Sequence, residues 1–279
     1  MIFLIVIAAI WIIAASISDI RKREVPNWIN FSLIAVGLAY RVLFSLINND
    51  FNFFLQGVLG MAIFVGLGYA FYYGRVFAGG DAKLLMALGP ILPFSEMFKV
   101  NVGIFLIFVF LLLLSGSFYG IIFSFFISFR NRKKFVKEFK RNFKKNKPMF
   151  YVFLVIAITA FAAAFYLNEA LIFLLGAVIL LFPVLFIYAR SIEESSMIKS
   201  VEARKLVEGD WLYKQVKIGK KTIKPSWQGL SLQEIKLLRK AKKKVLVKEG
   251  IPFVPSFLIA FLLLIYLWNY YNSIFAFLV

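Results

Sequence analysis

Long runs of apolar residues without a charge dominate this chain, and a run of about 20 such residues crosses a bilayer as one helix. Eight runs are read as spans: 2–18, 29–47, 54–73, 82–98, 101–128, 149–167, 170–188 and 253–277. The fourth is the least regular, because Pro90 and Pro93 interrupt it. The fifth is long enough to tilt or to begin before the bilayer. The chain is 62% hydrophobic and 17% charged, against about 45–50% and about 25% in a soluble domain. A single water-soluble core is therefore a poor reading. The expected fold is an all-α polytopic membrane protein, a bundle of about eight transmembrane helices with a small cytoplasmic appendage.

The expected organisation is a membrane core over 1–98 (spans one to four), further membrane helices over 99–188, an appendage over 189–252 and a last span over 253–279. Within 99–188 lies a basic connector, 130–148. Residues 1–18 lack a basic start and are followed at once by Arg21, Lys22 and Arg23. A cleaved signal peptide has the reverse polarity, so a retained first helix is expected. In the appendage, 193–208 reads as an amphipathic helix ending near Gly209. Residues 211–224, with Trp211, Tyr213, Val216, Ile218 and Ile223 around Gly219, read as a hairpin. Ser231 and Glu234 form a capping-box pattern opening a second amphipathic helix through Leu232, Ile235, Leu238 and Ala241.

The formal net charge is +19. Were it spread over a soluble surface, nucleic acid would be the natural partner. Instead, eight alternating spans put 31 of the 33 Lys and Arg residues on one side. The exceptions are Lys99 and Arg41, the latter read as snorkelling outward. Lysine and arginine accumulate in cytoplasmic loops, so the N-terminus is expected outside and the basic segments inside. Topology then explains the charge without nucleic acid. Segment 130–148 and the cluster Lys240, Lys242, Lys243 and Lys244 are expected at anionic lipid headgroups.

Cysteine and histidine are both absent. That excludes disulfides, thiol nucleophiles, Ser-His-Asp triads, HExxH zinc helices and His- or Cys-ligated haem. Hydrolytic chemistry must come from Asp, Glu, Ser or Lys, and no cofactor or metal is expected. Ionisable groups at the ends of spans are the functional suspects. Asp19 closes the first span and Asp81 opens the fourth. By the expected topology both lie at the cytoplasmic ends of their helices. A close pair of carboxyls holds one proton between them and so offers a base and an acid together. Gly79 and Gly80 would let the backbone turn sharply and approach a substrate strand. Each residue also has a plainer reading. Asp19 can pair with the neighbouring basic cluster, Asp81 can be an N-cap, and Lys83 can be an interface lysine.

Two runs change the balance. Asp19 is followed by Arg23-Glu24-Val25-Pro26-Asn27, and Asp81 stands in Gly79-Gly80-Asp81-Ala82-Lys83-Leu84-Leu85. Together they resemble the type IV prepilin peptidase family of intramembrane GxGD-type aspartic proteases, more narrowly its archaeal preflagellin and prepilin-like peptidase branch. Gly250-Ile251-Pro252-Phe253-Val254-Pro255 is similar to the archaeal C-terminal pattern. The motif often has Gly where this chain has Ala78. The resemblance implies Asp19 and Asp81 as the catalytic pair, with Gly79 and Gly80 shaping the substrate site. It also implies cleavage of the short basic leader, a class III signal peptide, from preflagellin or prepilin-like proteins at the cytoplasmic membrane face. Two rivals stand beside it. One is an ion-coupled transporter using intramembrane carboxylates, although transporter sites tend to lie at the midplane. The other is a membrane scaffold or insertion factor that uses the basic surface.

Overall fold

The computed structural model describes residues 1–219 and 221–270. It divides into two compact units, one of 1–122 with the chain after Ile251, the other of 123–250.

The first unit holds α1 (Ile2–Lys22), α2 (Asn27–Asn48), α3 (Phe51–Tyr73), α4 (Gly79–Leu88), most of α5 (Phe98–Arg130) and α10 (Val254–Tyr270). Their inward faces follow helical periodicity. On α1, Leu4, Ala8, Ile12, Ala15, Ser16 and Asp19 are buried, while Ile10, Ile13 and Ile17 point outward. Such exposed aliphatic residues suit a lipid-facing surface. Phe64 meets Phe105 edge-on at 5.1 Å between ring centroids and lies 6.1 Å from Phe108. Leu84, Leu85 and Leu88 are fully buried beside them in the same core.

Six described helices are long and apolar enough to cross a membrane: α1, α2, α3, α5, α7 (Lys147–Leu167) and α8 (Ala170–Ile192), the last continuing to Met197. The chain is thus an all-α polytopic membrane protein in its membrane part. The eighth expected span, 253–277, corresponds to α10 up to Tyr270, and its remainder lies outside the described residues.

The fourth expected span, 82–98, is corrected. α4 has only 10 residues, about 15 Å of helix, half a bilayer. Pro90 and Pro93 follow it in non-helical backbone. Residues 79–97 nevertheless run beside the length of α3. Gly79 lies next to Tyr72 near one end of α3, and the carbonyl of Glu96 accepts from Asn52 Nδ2 (2.9 Å) near the other. Irregular backbone at membrane depth persists only where protein satisfies its polar groups, and Arg41 does this.

Arg41 does not snorkel outward. It is fully buried. Its Nε donates to the carbonyl of Pro90 (2.6 Å), Nη1 to that of Phe53 (2.7 Å), and Nη2 to those of Pro93 (2.7 Å) and Ile91 (3.5 Å). A planar fork with several donors fits this cluster of acceptors, as a lysine would not. Small residues let the broken segment approach. A Cβ on Gly37 would lie 2.8 Å from Ile91 Cδ1, and one on Gly89 would lie 2.7 Å from Met61 Cα.

In the second unit, α7 and α8 form an antiparallel pair joined at Asn168, whose φ of 53° makes the tight turn. The basic connector is itself a helix, α6 (Arg132–Lys145). Phe135 packs edge-on against Tyr188, and Asn142 Nδ2 donates to Glu194 Oε2 at 2.8 Å. The Lys and Arg residues of α6 occupy its exposed face.

The rest of this unit is a small α/β fold, and two readings of it are corrected. No helix runs over 193–208. Glu193–Met197 forms a π-turn continuing α8, and β1 (Ile198–Glu202) follows. β1 pairs antiparallel with β5 (Lys244–Lys248), Val201 opposite Val245. The spacing that imitated a helix arises because Val201, Ala203 and Leu206 reach one core through a strand and a 3₁₀ turn. The hairpin is shorter than 211–224. β3 (Val216–Ile218) pairs with β4 (Lys221–Ile223), while β2 (Trp211–Leu212) joins the other sheet in the order β1-β5-β2. The capping box is present on α9 (Leu232–Lys240). Ser231 N–H donates to Glu234 Oε2 at 2.9 Å, and Glu234 N–H to Ser231 Oγ at 3.4 Å.

Candidate active site

Asp19 lies on the last full turn of α1 and is buried, 7% exposed. α1 ends three residues later, at Lys22. Arg23 adopts φ 59°, and its N–H returns to the Asp19 carbonyl at 2.8 Å. Ser18 Oγ donates to the Glu24 carbonyl at 2.8 Å and folds the link back toward α2. Pro26 then immediately precedes α2 with φ −58°, a value its ring enforces. This short turn delivers Val25 onto the start of α4, where a Cβ on Gly80 would meet Val25 Cβ at 3.5 Å.

Asp81 is not the N-cap of α4. Ala78 is, and Asp81 falls three residues later in the first turn. There it interacts with the backbone N–H of Ala78, the place an acid takes when it closes a helix start. Asp81 is half-buried, and it lies within the electrostatic reach of Asp19. The structure thus brings together the two acids that the sequence singled out.

The glycines do not make the sharp turn expected of them. Neither Gly79 nor Gly80 has φ in the left-handed region. They open α4 in ordinary helical geometry, and a Cβ on Gly79 would touch only Tyr72, at 3.7 Å. The sharp turn lies earlier, at Arg75 (φ 60°). Lys83, on the same helix, donates to Asn27 Oδ1 at 2.8 Å and so ties α4 to the start of α2.

One partner of the site was not singled out from sequence. The backbone N–H of Val254, the first residue of α10, donates to Asp19 Oδ2 at 3.0 Å, and the Phe253 backbone reaches the same carboxylate. The first N–H groups of a helix have no partner within it and favour negative charge. Pro252 and Pro255 flank this start, and a Pro-bounded helix start is the signal that could have marked it. Phe77, just before Gly79, packs on Phe253 at 5.2 Å and on Phe257 at 5.9 Å. The two acid-bearing helix ends and the start of α10 therefore share one apolar seal. The Tyr119 side chain of α5 lies in the fields of both Asp19 and Arg23.

Chemically, the site offers two carboxyl groups and a cluster of backbone donors at the end of a helix bundle, and Asp81 is partly open. Asn30, on the α2 face that carries Gly37 and Arg41, is fully buried, and its amide has no hydrogen-bond partner among the described residues.

Residues 6–125 match the model of the type IV leader peptidase family. That stretch contains Asp19, Gly79, Gly80 and Asp81. A preflagellin peptidase of Methanocaldococcus jannaschii is 33% identical over 92 residues, covering 33% of this chain and 39% of the relative. A preflagellin peptidase of Methanococcus maripaludis is 29% identical over 146 residues, covering 48% and 63%. The prepilin peptidase EppA of Methanothermobacter thermautotrophicus is 35% identical over 81 residues, covering 29% and 21%. The chain thus spans less than two thirds of the length of each of these relatives, and the similarity bears most directly on the helices that carry the two aspartates.

Proposed function

We propose, from the match of residues 6–125 to the type IV leader peptidase family, that the chain belongs to that family and is a membrane-embedded aspartic endopeptidase. Its substrates are preflagellin or prepilin-like proteins, from which it removes the short basic leader at the cytoplasmic face. The observation that carries this reading is that Asp19 of α1 and Asp81 of α4 lie within electrostatic reach, both inside the matched stretch.

The chemistry follows from one proton shared by two carboxyls. The ionised member takes a proton from water as the water oxygen attacks the scissile carbonyl carbon. The protonated member donates to the carbonyl oxygen as negative charge grows there. In collapse of the tetrahedral intermediate the C–N bond breaks, and a carboxyl proton passes to the leaving amine. Gly79 and Gly80 leave room for an unwound substrate strand beside Asp81. The basic segments hold the cytoplasmic side and lie against anionic headgroups.

The test is cleavage of a preflagellin in reconstituted membranes by Asp19→Asn and Asp81→Asn. Each loses an acid–base group and should slow cleavage by about 10²–10⁴-fold, with unchanged insertion and thermal melting. Full turnover by either well-folded variant rejects the mechanism.

A further inference from the structure

The α/β unit contains a cavity of about 200 Å³, lined by Glu202, Ala203, Arg204, Arg239, Lys242 and Lys244. Four lining residues are cations and one is an acid, so positive charge is in excess by three around one small hollow. Like charges so close repel, and an arrangement that keeps them together calls for an anion.

Two features distinguish this hollow from a run of solvated lysines. The first is the fixing of Arg239. Its Nε donates to the Ala203 carbonyl at 3.3 Å and Nη2 to the Leu206 carbonyl at 2.9 Å. Two backbone acceptors orient the guanidinium before anything binds, and no carboxylate neutralises it among the described residues. The second is the backbone at Lys242, with φ 48°. That is left-handed territory, where glycine or asparagine is at ease and a long side chain is not. Here it closes the C-terminal end of α9, with the Lys242 N–H returning to the Arg239 carbonyl at 3.1 Å, so the turn fixes where the Lys242 side chain leaves the backbone beside Arg239. Arg204, on the 3₁₀ turn after β1, and Lys242 have no ion pair among the described residues. The one acid, Glu202, approaches Lys244 only to 3.6 Å, with both side chains more than half exposed, a pairing of small worth.

We propose that this cavity binds a phosphate group, carried by an anionic phospholipid headgroup or by a free phosphate-bearing solute. Guanidinium groups present paired donors to phosphate oxygens, and lysines add point charge. A carboxylate offers two acceptor oxygens, whereas a phosphate group offers more around one tetrahedral centre; a phospholipid diester does so with one charge, and a phosphomonoester or pyrophosphate adds further charge against the excess of three. The inference is independent of the aspartate chemistry, and its failure leaves that reading untouched.

The experiment uses the full chain in neutral detergent, titrated calorimetrically with inorganic pyrophosphate and with dihexanoyl phosphatidylglycerol, dihexanoyl phosphatidylcholine serving as reference. Arg204→Ala and Lys242→Asn should each weaken binding about tenfold or more, the worth of one charge-assisted contact. Asparagine accepts the left-handed backbone, so Lys242→Asn should leave the melting temperature unchanged or raised. Lys224→Ala, an exposed lysine of the same unit outside the cavity, should change binding less than twofold. Binding of pyrophosphate identifies a free-phosphate site, and binding of the phosphatidylglycerol alone identifies a headgroup site; both support the proposal. Absence of binding to either probe overturns it, as does equal weakening by Lys224→Ala.

Discussion

The backbone N–H of Val254 donates to Oδ2 of Asp19 at 3.0 Å, in buried surroundings and across 235 positions of sequence. α1 therefore closes on the start of α10. A backbone N–H can only donate, so it holds one of the Asp19 carboxyl oxygens in place. Among the described residues Asp81 accepts no such bond from α10, and it is the more open of the two. If the two aspartates act as proposed, α10 is part of the catalytic apparatus although it lies outside the stretch matched to the family.

Removing that one donor is a direct measurement of its role. Val254→Pro deletes the N–H at the first helical position, where the fixed φ of proline is well tolerated. A hydrogen bond to a charged group is worth about 1.5–3 kcal/mol, so cleavage should fall about tenfold or more while the thermal melt stays near that of the parent. Val254→Ala keeps the N–H and should retain activity. Equal rates in the two variants would show that the contact is incidental.

A shared proton also dictates the shape of the pH profile. When both carboxyls are neutral there is no base, and when both are ionised there is no acid. The rate of leader cleavage should thus be bell-shaped, with two apparent constants belonging to the pair. The sign is testable on each limb: activity falls with added acid as the base is protonated, and falls with added alkali as the acid is lost. A rate that rises to a plateau at alkaline pH would require a different proton donor.

Arg41 should behave as a structural clamp. Arg41→Leu leaves the carbonyls of Pro90, Pro93 and Phe53 without their donor at depth, and each orphaned group costs about 1–3 kcal/mol. Thermal unfolding in detergent should show a loss of about 3 kcal/mol or more. Arg41→Lys should recover only part of it, since an ammonium cannot span the same acceptors. A melt unchanged by Arg41→Leu would mean that the broken segment is held by its packing alone.

These two residues show where the sequence was legible. Asp19 and Asp81 stood out because a charge beside an apolar run is costly and conspicuous. Most spans were legible for the same reason, since about 20 apolar residues report their own length. Arg41 was misread because its partners are backbone carbonyls, which leave no trace in side-chain pattern. The break of the fourth span was visible as Pro90 and Pro93, but its consequence depends on that clamp. The strand β1 was hidden for a related reason. Its pairing with β5 joins segments more than 40 residues apart, and only long-range pairing separates a five-residue strand from a helical turn. Likewise, Pro252 and Pro255 mark where α10 begins, but the contact of its Val254 N–H with Asp19 joins positions 235 residues apart and is not written in local pattern.

Asn30 offers a prediction of opposite sign. Its buried amide has no partner among the described residues, and each unmet polar group carries a desolvation cost of about 1–3 kcal/mol. Asn30→Leu replaces it with an apolar side chain of similar reach in an apolar core. The melting temperature should therefore rise. A clear fall would show that the amide is satisfied in the membrane-embedded protein and contributes to its stability.

The last prediction concerns how α3 holds α4. A Cβ on Gly60 would collide with the carbonyl oxygen of Gly89, a backbone atom that cannot swing aside, and would lie 2.8 Å from Pro93 Cγ. Gly66 is on the same helix, and a Cβ there would meet nothing within 4 Å. In a helix interior Gly→Ala by itself is favourable by about 1 kcal/mol, so the two substitutions share the same intrinsic gain and differ only in the collision. Gly66→Ala should leave cleavage and melting unchanged or slightly improved. Gly60→Ala should push α4 away from α3, displace Asp81 from Asp19 and slow cleavage by about 10²-fold, the cost of a misplacement of about 1 Å in a reacting group. Thermal melts and cleavage rates measured side by side decide it. Equal behaviour of the two alanine variants would show that α4 is not registered against α3 through this glycine, and that Asp81 is placed by its other neighbours.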